Sequence, residues 1–120
     1  MKKSILIVDS DEILVKMLEL IFKSLGYITY SANNDKAAIS IIQNEPVNLI
    51  IVELQIPEMG GLTVLTWLQG EAEITVPTLV FTGVVKRSVK EQVMKAGATD
   101  MLYKPATLDK LVSKVKEMLS

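Results

Sequence analysis

The feature that most constrains this chain is a repeated switch between short, uninterrupted aliphatic runs and longer segments with apolar residues at helical spacing. Ser4-Ile5-Leu6-Ile7-Val8 is followed by Ile13, Leu14, Met17, Leu18, Ile21, Phe22 and Leu25, with Ser10 or Asp11 placed to cap the start and Gly26 the end. A strand that is apolar at every position offers no face to water, so other elements must cover both of its sides. The pattern then recurs. Tyr27 to Ala32 reads as a second strand. Asn33-Asn34-Asp35 turns into a short helix with Ala38, Ile41 and Ile42 inward, ended by Pro46. Asn48 to Val52 is a third strand, and Leu62, Leu65 and Leu68 mark a helix that closes near Gly70. Pro77 to Phe81 is a fourth strand, with proline at the position where a missing N–H costs least. Val85, Val89, Val93 and Ala96 space a fourth helix up to Gly97. Met101 to Tyr103 makes a fifth strand, and Leu108, Leu111, Val112, Val115 and Leu119 a last helical stripe. Five such strand–helix pairs predict an α/β fold, a doubly wound parallel sheet with helices on both faces and right-handed crossovers. The 120 residues are read as a single domain, 1–120, free of repeats and linkers.

Composition narrows the chemistry. Cysteine and histidine are both absent, which excludes disulfides, thiol nucleophiles, histidine acid–base catalysis and Ser-His-Asp triads. Lys and Arg total 13 against 14 Asp and Glu, a net charge of -1, so no basic excess points to direct contact with nucleic acid. The first apolar run stops at Asp9, and Lys16, Glu19 and Lys23 interrupt the next. Neither a signal peptide nor a membrane segment is expected, and cytoplasm is the expected location.

In an open parallel sheet, ligands bind outside the C-terminal ends of the strands. Strand one delivers Asp9 and Ser10 there, strand three Glu53, strand four Thr82 and Gly83, and strand five Lys104 and Pro105. Each alone is equally consistent with a helix cap or an ordinary loop. Together they set two carboxylates, two hydroxyls and one ammonium at one end of the sheet. A flavodoxin-type cofactor site is disfavoured, because no G-x-G-x-x-G occurs and the two acids would repel a cofactor phosphate.

Val8-Asp9-Ser10-Asp11-Glu12, Ile51-Val52-Glu53 with Pro57 and Gly60-Gly61, Phe81-Thr82-Gly83 and Tyr103-Lys104-Pro105 together resemble the receiver domain of two-component response regulators. The resemblance covers the whole chain. It implies a flavodoxin-like sheet of order 2-1-3-4-5 and a phosphorylation switch. In that switch an aspartate ending strand three accepts a phosphoryl group from a histidine kinase, and an acidic pair after strand one holds Mg²⁺. A strand-four hydroxyl and a strand-five lysine bind the phosphoryl group. Such transfer depends on neutralising charge around an aligned acceptor.

Three departures modify that expectation. The acceptor position holds Glu53, whose extra methylene moves the carboxylate outward by roughly 1.5 Å, and a misplacement of about 1 Å can cost some hundredfold in rate. The longer side chain is expected to reach Lys104 and Thr82 directly. The second acid is replaced by Ser10, a weaker magnesium ligand, which leaves Asp9, Glu53 and the carbonyl of Gln55 as a poor metal site. The aromatic switch position is Met101, so Thr82 lacks its usual partner. The chain therefore reads as a pseudo-receiver with no catalytic residues and no required cofactor, Mg²⁺ binding weakly if at all. The alternative is a working phosphoryl acceptor in which Glu53 replaces a native aspartate. The expected partner is a protein or a second copy, through helix four, strand five and helix five. Val84, Val85, Lys86, Arg87, Lys90 and Met101 mark that face, and the resemblance adds a histidine kinase as a partner. Trp67 is either a second contact or a cover for the core.

Overall fold

A computed structural model describes residues 2–70, 72 and 74–120 of the chain. Five strands and five helices alternate: β1 (Ser4–Val8), α1 (Glu12–Ser24), β2 (Ile28–Ala32), α2 (Asp35–Asn44), β3 (Leu49–Val52), α3 (Gly61–Gln69), β4 (Thr78–Thr82), α4 (Arg87–Lys95), β5 (Asp100–Tyr103) and α5 (Leu108–Leu119). All strand pairs are parallel, in the order β2-β1-β3-β4-β5. The expected flavodoxin-like topology is therefore the observed one.

The sheet divides the interior into two layers. Leu6, Val8, Ile50, Val52 and Val80 point to one side, under Ala38 and Ile42 of α2, Val64, Leu65 and Leu68 of α3 and Val93 of α4. Ile5, Ile7, Leu49, Ile51, Leu79, Phe81 and Leu102 point to the other, under α1 and α5. Alternation along a strand sends neighbours to opposite faces, so two covered faces require the unbroken aliphatic runs seen in the sequence. Phe22 of α1 is fully buried and meets Tyr27 edge-on with ring centroids 6.1 Å apart. Such a side chain contributes about 2–3 kcal/mol by burial. Trp67 is half-buried and packs against the α2–α3–α4 layer, so it covers the core. No helix among the described residues is long and apolar enough to cross a membrane.

Two helical assignments need correcting. Ile13 and Met17 are 82% and 41% exposed, and the inward face of α1 is built on Val15, Leu18 and Phe22. The helix carries a second apolar stripe on its outer side, Ile13, Met17 and Leu20, which the spacing of apolar residues cannot separate from the first. Likewise Val85 lies before α4, whose N-cap is Lys86, and it is 67% exposed.

Candidate functional site

The charged residues are fixed at the backbone before their side chains meet. The parallel ladders continue one residue past the ends of β1, β3 and β5. The amide of Asp9 donates to the carbonyl of Ala32 at 3.0 Å, that of Glu53 to Val8 at 2.9 Å, and that of Lys104 to Thr82 at 2.8 Å. Because β1, β3 and β4 are adjacent and β5 follows, the side chains converge on one crevice.

Its centre is the Lys104 ammonium. Nζ lies 2.7 Å from Asp9 Oδ2 and 3.1 Å from Glu53 Oε1, and 5.4 Å from the centroid of the Phe81 ring, within cation–π range. The lysine side chain is 23% exposed and each carboxylate 8%. Asp9 Oδ1 accepts from the amide of Asp11 at 2.9 Å. Glu53 Oε2 accepts from Leu54 N at 2.7 Å and Gln55 N at 3.4 Å, while Oε1 also faces Gly83 N at 3.5 Å. All four carboxylate oxygens thus have donors, as buried charge requires. Thr82 is fully buried, and its hydroxyl accepts from Val84 N at 3.1 Å.

Burial alone would push the Glu53 carboxyl up. The Thr82 hydroxyl, the Lys104 ammonium and the Gln55 amide outweigh it and hold the group below its ordinary value. Burial likewise pulls Lys104 down, but its bonds to Asp9 and Glu53 prevail and raise it. Both shifts favour the charged pair.

The resemblance implies a magnesium site here, and the donor set fits one poorly. The two carboxylates are turned onto an ammonium rather than toward a shared cation position, and Ser10 is exposed and joins none of the crevice's hydrogen bonds among the described residues. No group of three or more metal-ligating acidic, histidine or cysteine side chains occurs among the described residues.

Of the residues expected at the site, Asp9, Glu53, Thr82, Gly83 and Lys104 are brought together. Ser10 and Pro105 are exposed at its edge, and Asp11 is the N-cap of α1, its carboxylate accepting from Ile13 N and Leu14 N. Met101 is half-buried against the α3–α4 layer. Val84 is half-buried, and Val85, Lys86, Arg87 and Lys90 are exposed.

Two residues matter more than their sequence roles suggested. Gly61 starts α3 so close to β3 that a Cβ there would collide with the carbonyl of Glu53 and lie 3.0 Å from Leu54 Cα. Asp35 reads as part of a turn, yet it is 2% exposed. Its carboxylate accepts from Lys36 N at 2.8 Å and from Met59 N at 3.1 Å, and its amide donates to Pro57 O at 3.1 Å. It pins the β3–α3 loop, which carries the amides of Leu54 and Gln55, to the start of α2. No local pattern in the sequence signals this tie, because its partners lie 24 residues apart.

A flavodoxin-like sheet that ends in two acids, a buried hydroxyl and a lysine defines a signal-receiver module. The chain belongs to the response regulator receiver domain family, whose profile matches residues 5–116. It is 26% identical over 120 residues to the polar-differentiation response regulator DivK of Brucella anthropi, covering 99% of this chain and 98% of that protein. It is 28% identical to the transcriptional regulatory protein CrdR of Helicobacter pylori, of which it spans 56%. The crystal structure of a CheY-like response regulator receiver domain protein from Methanospirillum hungatei superposes with a TM-score of 0.93 at 27% identity, over 99% of this chain and 94% of that one.

Proposed function

We propose that this receiver module signals without the usual phosphorylation, its crevice held in one arrangement by the pairing of Lys104 with Glu53 and Asp9, and that it acts by protein–protein contact in the cytoplasm. The observation that carries the reading is the 3.1 Å contact between Lys104 Nζ and Glu53 Oε1. The lysine that the family resemblance assigns to a phosphoryl oxygen already has a carboxylate. An incoming phosphoryl group would have to break this contact and the one to Asp9, and it would meet an acceptor displaced by one methylene. Magnesium would have to displace the same ammonium, so its binding is weak and the domain has no catalytic role. Partners dock through α4, β5 and α5, where Arg87 and Lys90 of α4, with Val85 and Lys86 in the connection just before it, offer an apolar side chain among cations. The relatives' names, response regulator and transcriptional regulator, agree with a signalling role.

The test is incubation with a small acyl phosphate and Mg²⁺, followed by intact mass. The expected result is an unmodified chain, with Glu53→Asp as the comparison. A stoichiometric phosphoryl adduct that disappears in Glu53→Ala would establish the alternative, a working acceptor built on glutamate.

A further inference from the structure

We infer that the outer face of α1 is a self-association surface, on which α1 of a second copy of this chain lies antiparallel about a twofold axis. Ile13, Met17 and Leu20 are 82%, 41% and 72% exposed. They follow one another at steps of four and three residues, so they share one face of the helix and form a single stripe. The sheet lies under the opposite face, where Val15, Leu18 and Phe22 are buried, and folding of the chain therefore leaves the stripe uncovered. Apolar groups that protrude singly are common, but a row of three along two turns of one helix has the form of a helix-docking face.

Charge selects the occupant. One flank of the stripe carries Glu12, Lys16, Glu19 and Lys23, again at helical steps and with alternating sign. Glu12, Lys16 and Lys23 are exposed, and Glu19 Oε2 lies 3.7 Å from Lys23 Nζ. The other flank is Leu14 and Ile21, which are uncharged. A twofold axis perpendicular to the plane of the two helices, passing between Met17 and Leu18, reverses the second helix yet keeps the charged flanks on the same side. Glu12 then comes level with the second copy's Lys23, and Lys16 with its Glu19, each pairing occurring twice by symmetry. The apolar side chains interleave in the same register. Ile13, the second copy's Leu20, the two Met17 side chains, Leu20 and the second copy's Ile13 follow at levels about 3–4 Å apart. A parallel pair would instead set each charged flank against Leu14 and Ile21 and match no charges. One helix face per copy is less than a standard interface, so a dissociation constant on the order of 100 µM is expected. This face is separate from α4, β5 and α5. The inference goes beyond the proposed function, since it holds whether or not Glu53 accepts a phosphoryl group.

The chain has no cysteine, so Met17→Cys introduces a single thiol beside the axis. On mild oxidation it is expected to give an interchain disulfide dimer. Met94→Cys, at a position equally exposed in the parent but on α4 and the other side of the sheet, stays monomeric. Sedimentation of the unmodified chain is expected to show a weak dimer, and Leu20→Gln should raise its dissociation constant by roughly tenfold. Lys16→Glu with Lys23→Glu makes the charged flank wholly acidic, and Glu12→Lys with Glu19→Lys makes it wholly basic. Each of these variants, with its fold checked by far-ultraviolet circular dichroism, is expected to be monomeric alone and to pair when the two are mixed, unless both also carry Leu20→Gln. The inference is overturned by an unmodified chain that remains monomeric to ~1 mM, by a dimer that cross-links at residue 94 but not 17, or by a mixture that stays monomeric or pairs equally well with Leu20→Gln. Occupation of this face by a helix of a different protein, on a strictly monomeric chain, would overturn it too. None of these results bears on the acyl phosphate reaction, so the two readings fail separately.

Discussion

At the scale of single residues, one ammonium balances two nearly buried carboxylates, and both partners of the Glu53–Lys104 contact have shifted titrations. Glu53 is depressed below the usual 4.5, so its contribution to stability is complete above that value and is lost as pH falls through the folded-state value. Lys104 is raised above 10.5; its contribution is complete below that value and is lost as pH rises through the folded-state value. Between these limits the pair contributes a plateau. Urea midpoints measured from pH 3 to 6 are expected to fall on the acid side in the parent and to fall less in Glu53→Gln; identical slopes would remove Glu53 from the balance. Lys104→Met keeps most of the apolar stem but leaves two acids facing each other. It is expected to cost about 2–3 kcal/mol at neutral pH, less than full burial would exact because the site is partly open to water. Denaturant titration reads this directly.

At the scale of elements, the close approach of α3 to β3 is as consequential as any charge. Gly61→Ala must push the start of α3 away from the Glu53 carbonyl, at a cost of about 1–3 kcal/mol, and the amide resonances of Leu54 and Gln55 should shift with it. Asp35→Ala takes the acceptor from the Met59 amide, and exchange of that amide with solvent should quicken while the Asp9–Lys104 contact persists. The sequence disclosed these elements unevenly. β1 and β3 were legible to within a residue because Ile5 to Val8 and Leu49 to Val52 admit no polar position. The crevice acids and Lys104 were legible because strand ends are defined by where such runs stop. The inward face of α1 was not, since Ile13 and Met17 compete with Val15 on composition alone and only the position of the sheet beneath the helix decides between them. The tie from Asp35 to Met59 was illegible for a different reason: it spans 24 residues, and no local pattern encodes it.

At the scale of the whole molecule, two apolar layers share one central sheet, so neither can be lost alone. Leu6 and Val8 pack on the α2 side, while Ile5 and Ile7, on the same strand, pack on the α1 side. Phe22→Ala in the α1 layer is expected to cost about 3–5 kcal/mol. Trp67, in the opposite layer, should report the same shifted midpoint as far-ultraviolet circular dichroism. A tryptophan transition left where it was would mean that the layers melt independently. The main-chain bonds that extend the ladder past β1, β3 and β5 have a further consequence. They fix where the functional side chains are rooted, whatever those side chains are. Codons for glutamate and aspartate differ only at the third base, so one nucleotide separates this crevice from one bearing the shorter acid. The chemistry at this end of the sheet is thus among the traits a lineage can revise most cheaply, with no change to the architecture beneath it.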